Sequence, residues 1–440
     1  MNAIGVGLIG WGTVGCGVIE VLRTNAEAIE DRLGVRLELK RVADIDLDRA
    51  RPVEVPREKL TTRAEDVLND PDIQIVIELV GGLTVAKTFI IRALENKKHV
   101  VTANKALLAH HGNELFEAAN QSHRSIGFEA SVAGGIPFIK SLREGLAGNQ
   151  IDAVFGILNG TANYILTRMT QQGLSFQDAL GEAQEEGYAE ANPALDIEGT
   201  DAAHKLAIAS AIAFGTPIQL DQVYVEGISR IDPIDIQFGE EFGYRLKLLA
   251  IARYRNGELE MRVHPTLIPR NHVLAGVDGA YNAVHIHGNA VGNIMLYGMG
   301  AGMMPTGSAV VSDLIDIARD ILGETPGRIP PLAFHRDRLK KVPMKSISTV
   351  TTCYYFRFGA YDRPGVLSKI AGILGENGIS ISAVIQKGRQ AGEAVPIVML
   401  THEALESSVQ KALEQINQLD VVACSTQVIR IENEGTGRLS

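Results

Sequence analysis

Cysteine is scarce in this 440-residue chain: Cys16, Cys353 and Cys424 stand far apart and form no CxxC pair. An odd, scattered set supplies neither a disulfide framework nor a thiolate metal site, and it reads as buried thiols in a reducing compartment. Basic residues are outnumbered, 42 Lys and Arg against 52 Asp and Glu, for a formal net charge of −10. No Lys/Arg cluster could track a phosphate backbone, so nucleic acid is not an expected partner. Long apolar runs are missing too, none approaching the roughly 20 residues of a membrane helix. The start, Met1-Asn2-Ala3-Ile4-Gly5, lacks a basic stretch followed by an apolar one. The expectation is a soluble, cytoplasmic protein without membrane contact.

What is present is an average globular composition, 45% hydrophobic and 21% charged, with 45 glycines for tight turns and close backbone approaches. The length suits two or three domains. A predicted strand over 4–9 runs into Gly10-Trp11-Gly12-Thr13-Val14-Gly15, and a helix is expected over 16–33. In this GxGxxG pattern Gly10 permits the tight turn, Gly12 lets the backbone approach a pyrophosphate, and Gly15 lets helix and strand pack closely. The helix's amino end then faces the phosphates.

The next strand, 36–43, ends at Asp44-Ile45-Asp46, where a dinucleotide fold places its ribose-reading residue. A carboxylate at Asp44 would bind ribose hydroxyls and repel a 2′-phosphate, favouring NAD over NADP; Arg41 and Arg49 nearby soften that choice. The alternative is a turn residue whose side chain bonds local amides. Strands at 73–79, 99–102 and 125–129 alternate with helices near 86–95 and 113–119, which implies a parallel, doubly wound sheet. Lys105 closes Thr102-Ala103-Asn104-Lys105 after the fourth strand and so points toward the cofactor crevice. Glu129 to Pro137 is a run of small residues. It offers one carboxylate and several carbonyls for a hard cation, or simply a tight turn.

From about residue 151 an α+β pattern begins, with strands near 247–254, 260–266, 283–289 and 293–298 that suggest an open sheet with one covered face. Within it four acids and a lysine fall inside about twenty residues: Glu186, Glu190, Asp196, Asp201 and Lys205. Asp201 and Lys205 lie four apart on an expected helix over 200–214, so one face carries both. They make either an exposed ion pair or a proton-trading lysine beside a carboxylate. Glycines 298, 300 and 302 precede a helix over 308–322 and can return to the cofactor. His285 and His287 share a strand face but lack a third ligand, so they read as structural; His110-His111 reads as a loop leading into a helix. A linker with Pro326, Pro330, Pro331 and Pro343 leads to a tail ordered βαββαβ, the ferredoxin-like arrangement. Asp362 is its expected helix N-cap, with Pro364 in the first turn. The expected division is 1–135 dinucleotide-binding, completed by a segment near 300–325; 136–325 a second domain; 326–348 linker; 349–431 a third domain; and 432–440 disordered.

On these motifs the chain resembles the homoserine dehydrogenases, in the bacterial form with an appended ACT domain. The resembling segments are Gly7 to Gly15, Thr102 to Lys105, Glu129 to Pro137, Leu158-Asn159-Gly160-Thr161, Glu186 to Pro193 and Asp196 to Lys205. Asp362-Arg363-Pro364-Gly365-Val366-Leu367 looks like the opening turn of an ACT domain. The resemblance implies interconversion of L-homoserine and L-aspartate 4-semialdehyde with NAD or NADP, in threonine, methionine and isoleucine biosynthesis. It implies Lys205 and Lys105 as catalytic lysines, and Glu190 and Asp201 as substrate ligands, with Asp196 and Gly187 beside them. Gly10, Gly12, Thr13, Val14, Gly15, Asp44, Lys105 and Gly302 would meet the cofactor. A monovalent cation such as Na⁺ would sit on Glu129, Val132, Gly134 and Ile136. The resemblance implies that 136–325 is substrate-binding and dimerising and that 349–431 is regulatory. Threonine is the implied ACT effector, and the implied assembly is a homodimer or homotetramer. The remaining alternatives are another amino-acid dehydrogenase on this scaffold, or a non-catalytic metabolite sensor, for which no output segment is visible.

Overall fold

The computed structural model describes residues 3–387 and 394–433. Its first sheet comprises β1 (Ala3–Ile9), β2 (Arg36–Ala43), β3 (Leu60–Thr61), β4 (Ile75–Glu78), β5 (His99–Thr102) and β6 (Ile126–Gly127). The pairings are parallel in the order β3-β2-β1-β4-β5-β6. Ile4, Val6 and Leu8 of β1 and Ile75 and Ile77 of β4 are buried, as strands covered on both faces require. Chain order reverses between β1 and β4, and the carboxyl ends of those strands open the crevice where such doubly wound sheets take ligands.

The single helix expected over 16–33 is two helices, Thr13–Thr24 and Ala26–Leu33. Asn25 leaves helical geometry between them (φ −107°, ψ 18°) while its N–H still bonds the Val21 carbonyl. A later helix, Met303–Leu322, returns to this layer and buries Ala309, Val310, Leu314 and Ile317 among side chains of β1 and β4. Two glycines permit the crossing. A Cβ on Gly17 would lie 1.9 Å from the Met303 carbonyl oxygen, and one on Gly307 2.5 Å from the Gly17 carbonyl carbon.

The second sheet begins with β7 (Ile151–Ile157), β8 (Tyr224–Val225), β9 (Tyr244–Arg255), β10 (Glu258–Pro269), β11 (Tyr281–Gly288) and β12 (Gly292–Met299). The expectation of one covered face holds only at the edge strand β12, where burial alternates along the strand. In β9, Leu248, Ala250 and Ala252 join the main core, whereas Leu249 and Ile251 join a smaller cluster with Leu274 and Val277. Chain from the 272–277 segment covers the second face, a coverage that strand periodicity does not report.

The tail supplies β13 (Thr351–Tyr361), β14 (Ile381–Gln386), β15 (Ala394–Thr401), β16 (Ala404–Leu405) and β17 (Val422–Ile431), with helices Val366–Glu376 and Glu406–Ile416. It is continuous with the middle of the chain: β17 pairs in parallel with β10 through Thr266 with Arg430 and Leu267 with Ile431. The sheet order is therefore β12-β11-β7-β9-β10-β17-β13-β15-β14, with β8 on β10 and β16 on β13. Ion pairs seal this seam, the buried Arg430 pairing with the buried Glu406 at 2.7 Å and with the partly exposed Glu226 at 2.8 Å.

Four local expectations are corrected. The helix after Asp362 starts at Val366 and is capped by Gly365 in the left-handed region (φ 90°), so neither Asp362 nor Pro364 forms its first turn. His110 and His111 lie inside helix Lys105–Ser122. Cys16 is buried but Cys424 is exposed. Glu432, expected to begin a disordered tail, is 3% exposed and its carboxylate lies 3.1 Å from Arg262; residues 434–440 lie outside the described residues.

Gly17→Ala should destabilise the protein by about 1–3 kcal/mol, since its methyl group meets backbone that cannot yield. Gly12→Ala has no atom within 4 Å to meet and should leave the thermal midpoint unchanged. Equal midpoints for the two variants would contradict this account of the helix crossing.

Candidate active site

Helix Thr200–Phe214 is alanine-rich and buried almost along its whole length, the pattern of a helix enclosed on every side. Asp201 and Lys205, one turn apart, are 4% and 7% exposed. The exposed ion-pair alternative is therefore excluded. Lys205 Nζ donates to Asp201 Oδ2 at 2.7 Å and to the Leu158 carbonyl at 2.6 Å. The other carboxylate oxygen, Oδ1, lies 2.8 Å from Lys105 Nζ, which arrives from the carboxyl end of β5. Asn159 ties the remaining acid to this pair: its Nδ2 donates to Asp201 Oδ2 at 2.8 Å and to Asp196 Oδ1 at 2.7 Å. Its Oδ1 accepts from Ala162 N at 2.7 Å and caps helix Gly160–Gln172, which fixes the side chain in place.

One anion between two ammonium groups gives opposite proton affinities. Burial lowers the pKa of Lys205; Asp201 opposes this in part, and the charge of Lys105 adds to it. Burial also pulls on Lys105, but Asp201 overcomes it, with Asp196 and Glu190 adding, and the net shift is upward. The difference follows enclosure, since the Lys105 side chain is 43% exposed and that of Lys205 9%. Burial would raise Asp201, yet Lys205 and Lys105 together hold its carboxyl well below the usual carboxylate range. Asp196 shifts upward, from burial first, with the Asn159 amide opposing and the Asp201 charge adding.

Glu190 is exposed on the loop that follows helix Phe176–Glu185. Gly187 turns this loop in the left-handed region (φ 78°). Tyr188 fastens it, stacking on Tyr164 at 4.7 Å and accepting from the Thr161 hydroxyl at 2.6 Å.

Most of the residues expected to meet a dinucleotide sit at the carboxyl ends of β1 and β2. A Cβ on Gly10 (φ 104°) would come within 2.6 Å of the Leu79 backbone, and one on Gly15 within 2.4 Å of the Gly10 carbonyl. Gly12 has open space beside it. It is the N-cap of helix Thr13–Thr24 and provides no side-chain cap, leaving Thr13, Val14 and the first-turn amides for an anion. This cradle fits a dinucleotide pyrophosphate. Gly302 (φ 121°) caps helix Met303–Leu322. The Asp44 carboxylate accepts from Trp11 N at 2.6 Å and Asp46 N at 3.0 Å, and it lies 3.3 Å from Arg51. Arg51 stacks 4.2 Å over the Trp11 ring. Asp44 thus bonds one local amide, that of Asp46, while standing at the carboxyl end of β2; Arg51 was not singled out in the sequence.

In the 129–137 loop, Glu129 is 2% exposed and accepts from Ile139 N at 2.9 Å and Lys140 N at 2.8 Å. Asp313, which the sequence did not single out, accepts from Glu129 N at 2.7 Å. Burial and the neighbouring Asp313 push the Glu129 carboxyl up to about 7, and burial takes Asp313 to about 6. Val132 is fully buried, Gly134 takes φ 55° against the Gly300 carbonyl, and the Ile136 carbonyl accepts from Phe138 N at 2.7 Å. Among the described residues no three His, Cys, Asp or Glu side chains form a metal cluster. The oxygen atoms of this loop, the Glu129 carboxylate and backbone carbonyls, are of the type that suits a hard cation.

Residues 137–315 match the family profile described as homoserine dehydrogenase, 10–129 its NAD-binding domain, and 354–421 the ACT domain. The homoserine dehydrogenase of Neisseria gonorrhoeae is 46% identical over 433 residues, covering 98% of this chain and 99% of that one. The chain belongs to the homoserine dehydrogenase family. It is an oxidoreductase. The crystal structure of a homoserine dehydrogenase from Thiobacillus denitrificans superposes with a TM-score of 0.94 at 50% identity, over 98% of this chain and 99% of that one. A hyperthermophilic archaeal homoserine dehydrogenase mutant, solved in complex with NADPH, matches 72% of this chain and 97% of that one at 25% identity, with a TM-score of 0.60.

Asp201 raises the proton affinity of Lys205, so its removal lowers that affinity further. Asp201→Asn should therefore cut kcat at least about tenfold and move the alkaline limb of the reductive pH–rate profile to lower pH. An unmoved limb would separate the lysine from this carboxylate.

Proposed function

We propose that Lys205 carries the proton at the substrate oxygen, with Asp201 orienting it and Lys105 assisting or holding the substrate carboxylate. The observation that carries this reading is the enclosed Asp201 carboxylate bridging two lysines beside the crevice of a dinucleotide sheet. The bound dinucleotide supplies or accepts the hydride. For semialdehyde reduction, Lys205 delivers its proton to the aldehyde oxygen and Asp201 stabilises the ammonium that is restored. A lysine whose pKa is lowered by burial gives up its proton more readily near neutrality, which suits this role. Glu190 and Asp201, with Asp196 and Gly187 in support, hold the substrate ammonium, since a desolvated ammonium needs carboxylate partners.

Gly10, Gly12, Thr13, Val14, Gly15 and Gly302 form the dinucleotide contacts in this reading, with Asp44 at the ribose. Its carboxylate favours NAD, and Arg51 offsets its charge, so the preference is modest; the archaeal relative's NADPH complex is in keeping with that. Glu129 with the carbonyls of Val132, Gly134 and Ile136 holds a monovalent cation. Threonine acts through the ACT domain as end-product inhibitor of a cytoplasmic, homo-oligomeric enzyme of threonine, methionine and isoleucine biosynthesis. The domain division is 1–135 with the segment near 300–325, 136–325, and 349–431 after the linker. Support for regulation is the β17–β10 pairing, which joins the ACT domain to the catalytic sheet.

Reduction of aspartate semialdehyde by the full-length protein, assayed with NADH and NADPH and with and without threonine, tests these statements together. Turnover with both cofactors, a modest preference for NADH and inhibition by threonine are expected. No turnover with either cofactor overturns the reading, and indifference to threonine removes the effector assignment alone.

A further inference from the structure

The carboxylate of Glu78, at the carboxyl end of β4, is fully buried, and its hydrogen bonds go to a backbone amide and a hydroxyl rather than to a Lys or Arg. Its Oε1 accepts from Val80 N at 2.9 Å and its Oε2 from the Thr102 hydroxyl at 2.8 Å. Burial raises the pKa of this carboxyl, with the Thr102 hydroxyl and the Val80 amide opposing. Burying a carboxylate without a cation is unfavourable, and a threonine hydroxyl could be satisfied by a neutral acceptor. The position therefore calls for a reason other than stability.

The reason lies one bond further on. Thr102 Oγ1 accepts from Asn104 N at 3.1 Å. Asn104 Oδ1 accepts from Leu107 N at 3.0 Å and caps helix Lys105–Ser122, while its Nδ2 donates to the Gly82 carbonyl at 2.7 Å. Lys105 is the first residue of that helix, and its ammonium lies 2.8 Å from Asp201. The loop after β4 and the loop after β5 are thus clamped to each other from both sides, Glu78 below and Asn104 above.

We propose that Glu78 is a positioning residue for Lys105: through Thr102 and Asn104 it fixes where the helix begins and so where the Lys105 ammonium meets Asp201. This rests on the role given to Lys105 above. In the full-length enzyme, E78Q keeps the volume but replaces one acceptor with an amide. Its kcat for semialdehyde reduction should fall about ten- to a hundredfold, the range that a misplacement of about 1 Å produces. In a Lys105→Ala background the same change should have little further effect, because its route to the chemistry is gone. Thr102→Val should reproduce the loss and Thr102→Ser should recover most of it, so the chain of contacts stays testable if E78Q folds poorly. Equal losses from E78Q with and without Lys105, or full kcat in both E78Q and Thr102→Val, overturn the proposal. A wild-type protein with no turnover fails the functional reading instead, which keeps the two failures distinct.

Discussion

The carboxylate of Asp201 meets Lys205 on one oxygen and Lys105 on the other, and the Asn159 amide shares the first. That anion draws both lysines and the Asn159 amide together. A buried charge must be paired, and taking one partner away typically costs about 3–5 kcal/mol. The arrangement consequently holds itself: loss of either lysine leaves one carboxylate oxygen without its cation, and the two lysines together keep the acid ionised at ordinary pH. The two lysines share an anion but differ in enclosure, and this separates their proton affinities. Groups driven apart in this way can divide the work of binding and proton transfer.

A rigid frame supports the anion. Helix Thr200–Phe214 is buried on all sides and leaves Asp201 and Lys205 no solvent to relax into. Leu158 and Asn159 follow β7, a strand of the second sheet, whereas Lys105 follows β5 of the first. The site is therefore the place where the two sheets are joined by charge. Helix Met303–Leu322 completes the attachment by closing on the glycine-turn helix at Gly17 and Gly307. At the far end, β17 extends the same sheet into the tail, with Arg430 buried between Glu406 and Glu226.

Much of this was legible in the sequence because local pattern and function coincide there. The glycine turn after a short apolar strand, the alternation of strand and helix, and Asp201 with Lys205 one turn apart each carry their meaning within a few residues. What stayed hidden depends on contacts distant in sequence. Asp313 stands 184 residues from the Glu129 amide that it accepts, and Gly17 is explained only by a helix near residue 303. Asn159 could have been found, since an Asn after a strand and before a helix is a cap candidate; its grip on two carboxylates could not. The helix break at Asn25 and the left-handed cap at Gly365 were missed because apolar periodicity runs through the first, and Asp362 is the more familiar cap at the second.

In the proposed mechanism the buried Lys205 moves the proton while the dinucleotide binds elsewhere. Steady-state turnover of Lys205→Ala, measured beside its dinucleotide affinity, tests this most directly. The expected kcat is lowered at least about a hundredfold, the usual scale for lost acid–base help, with dinucleotide binding near that of the wild type. An unchanged kcat would contradict it.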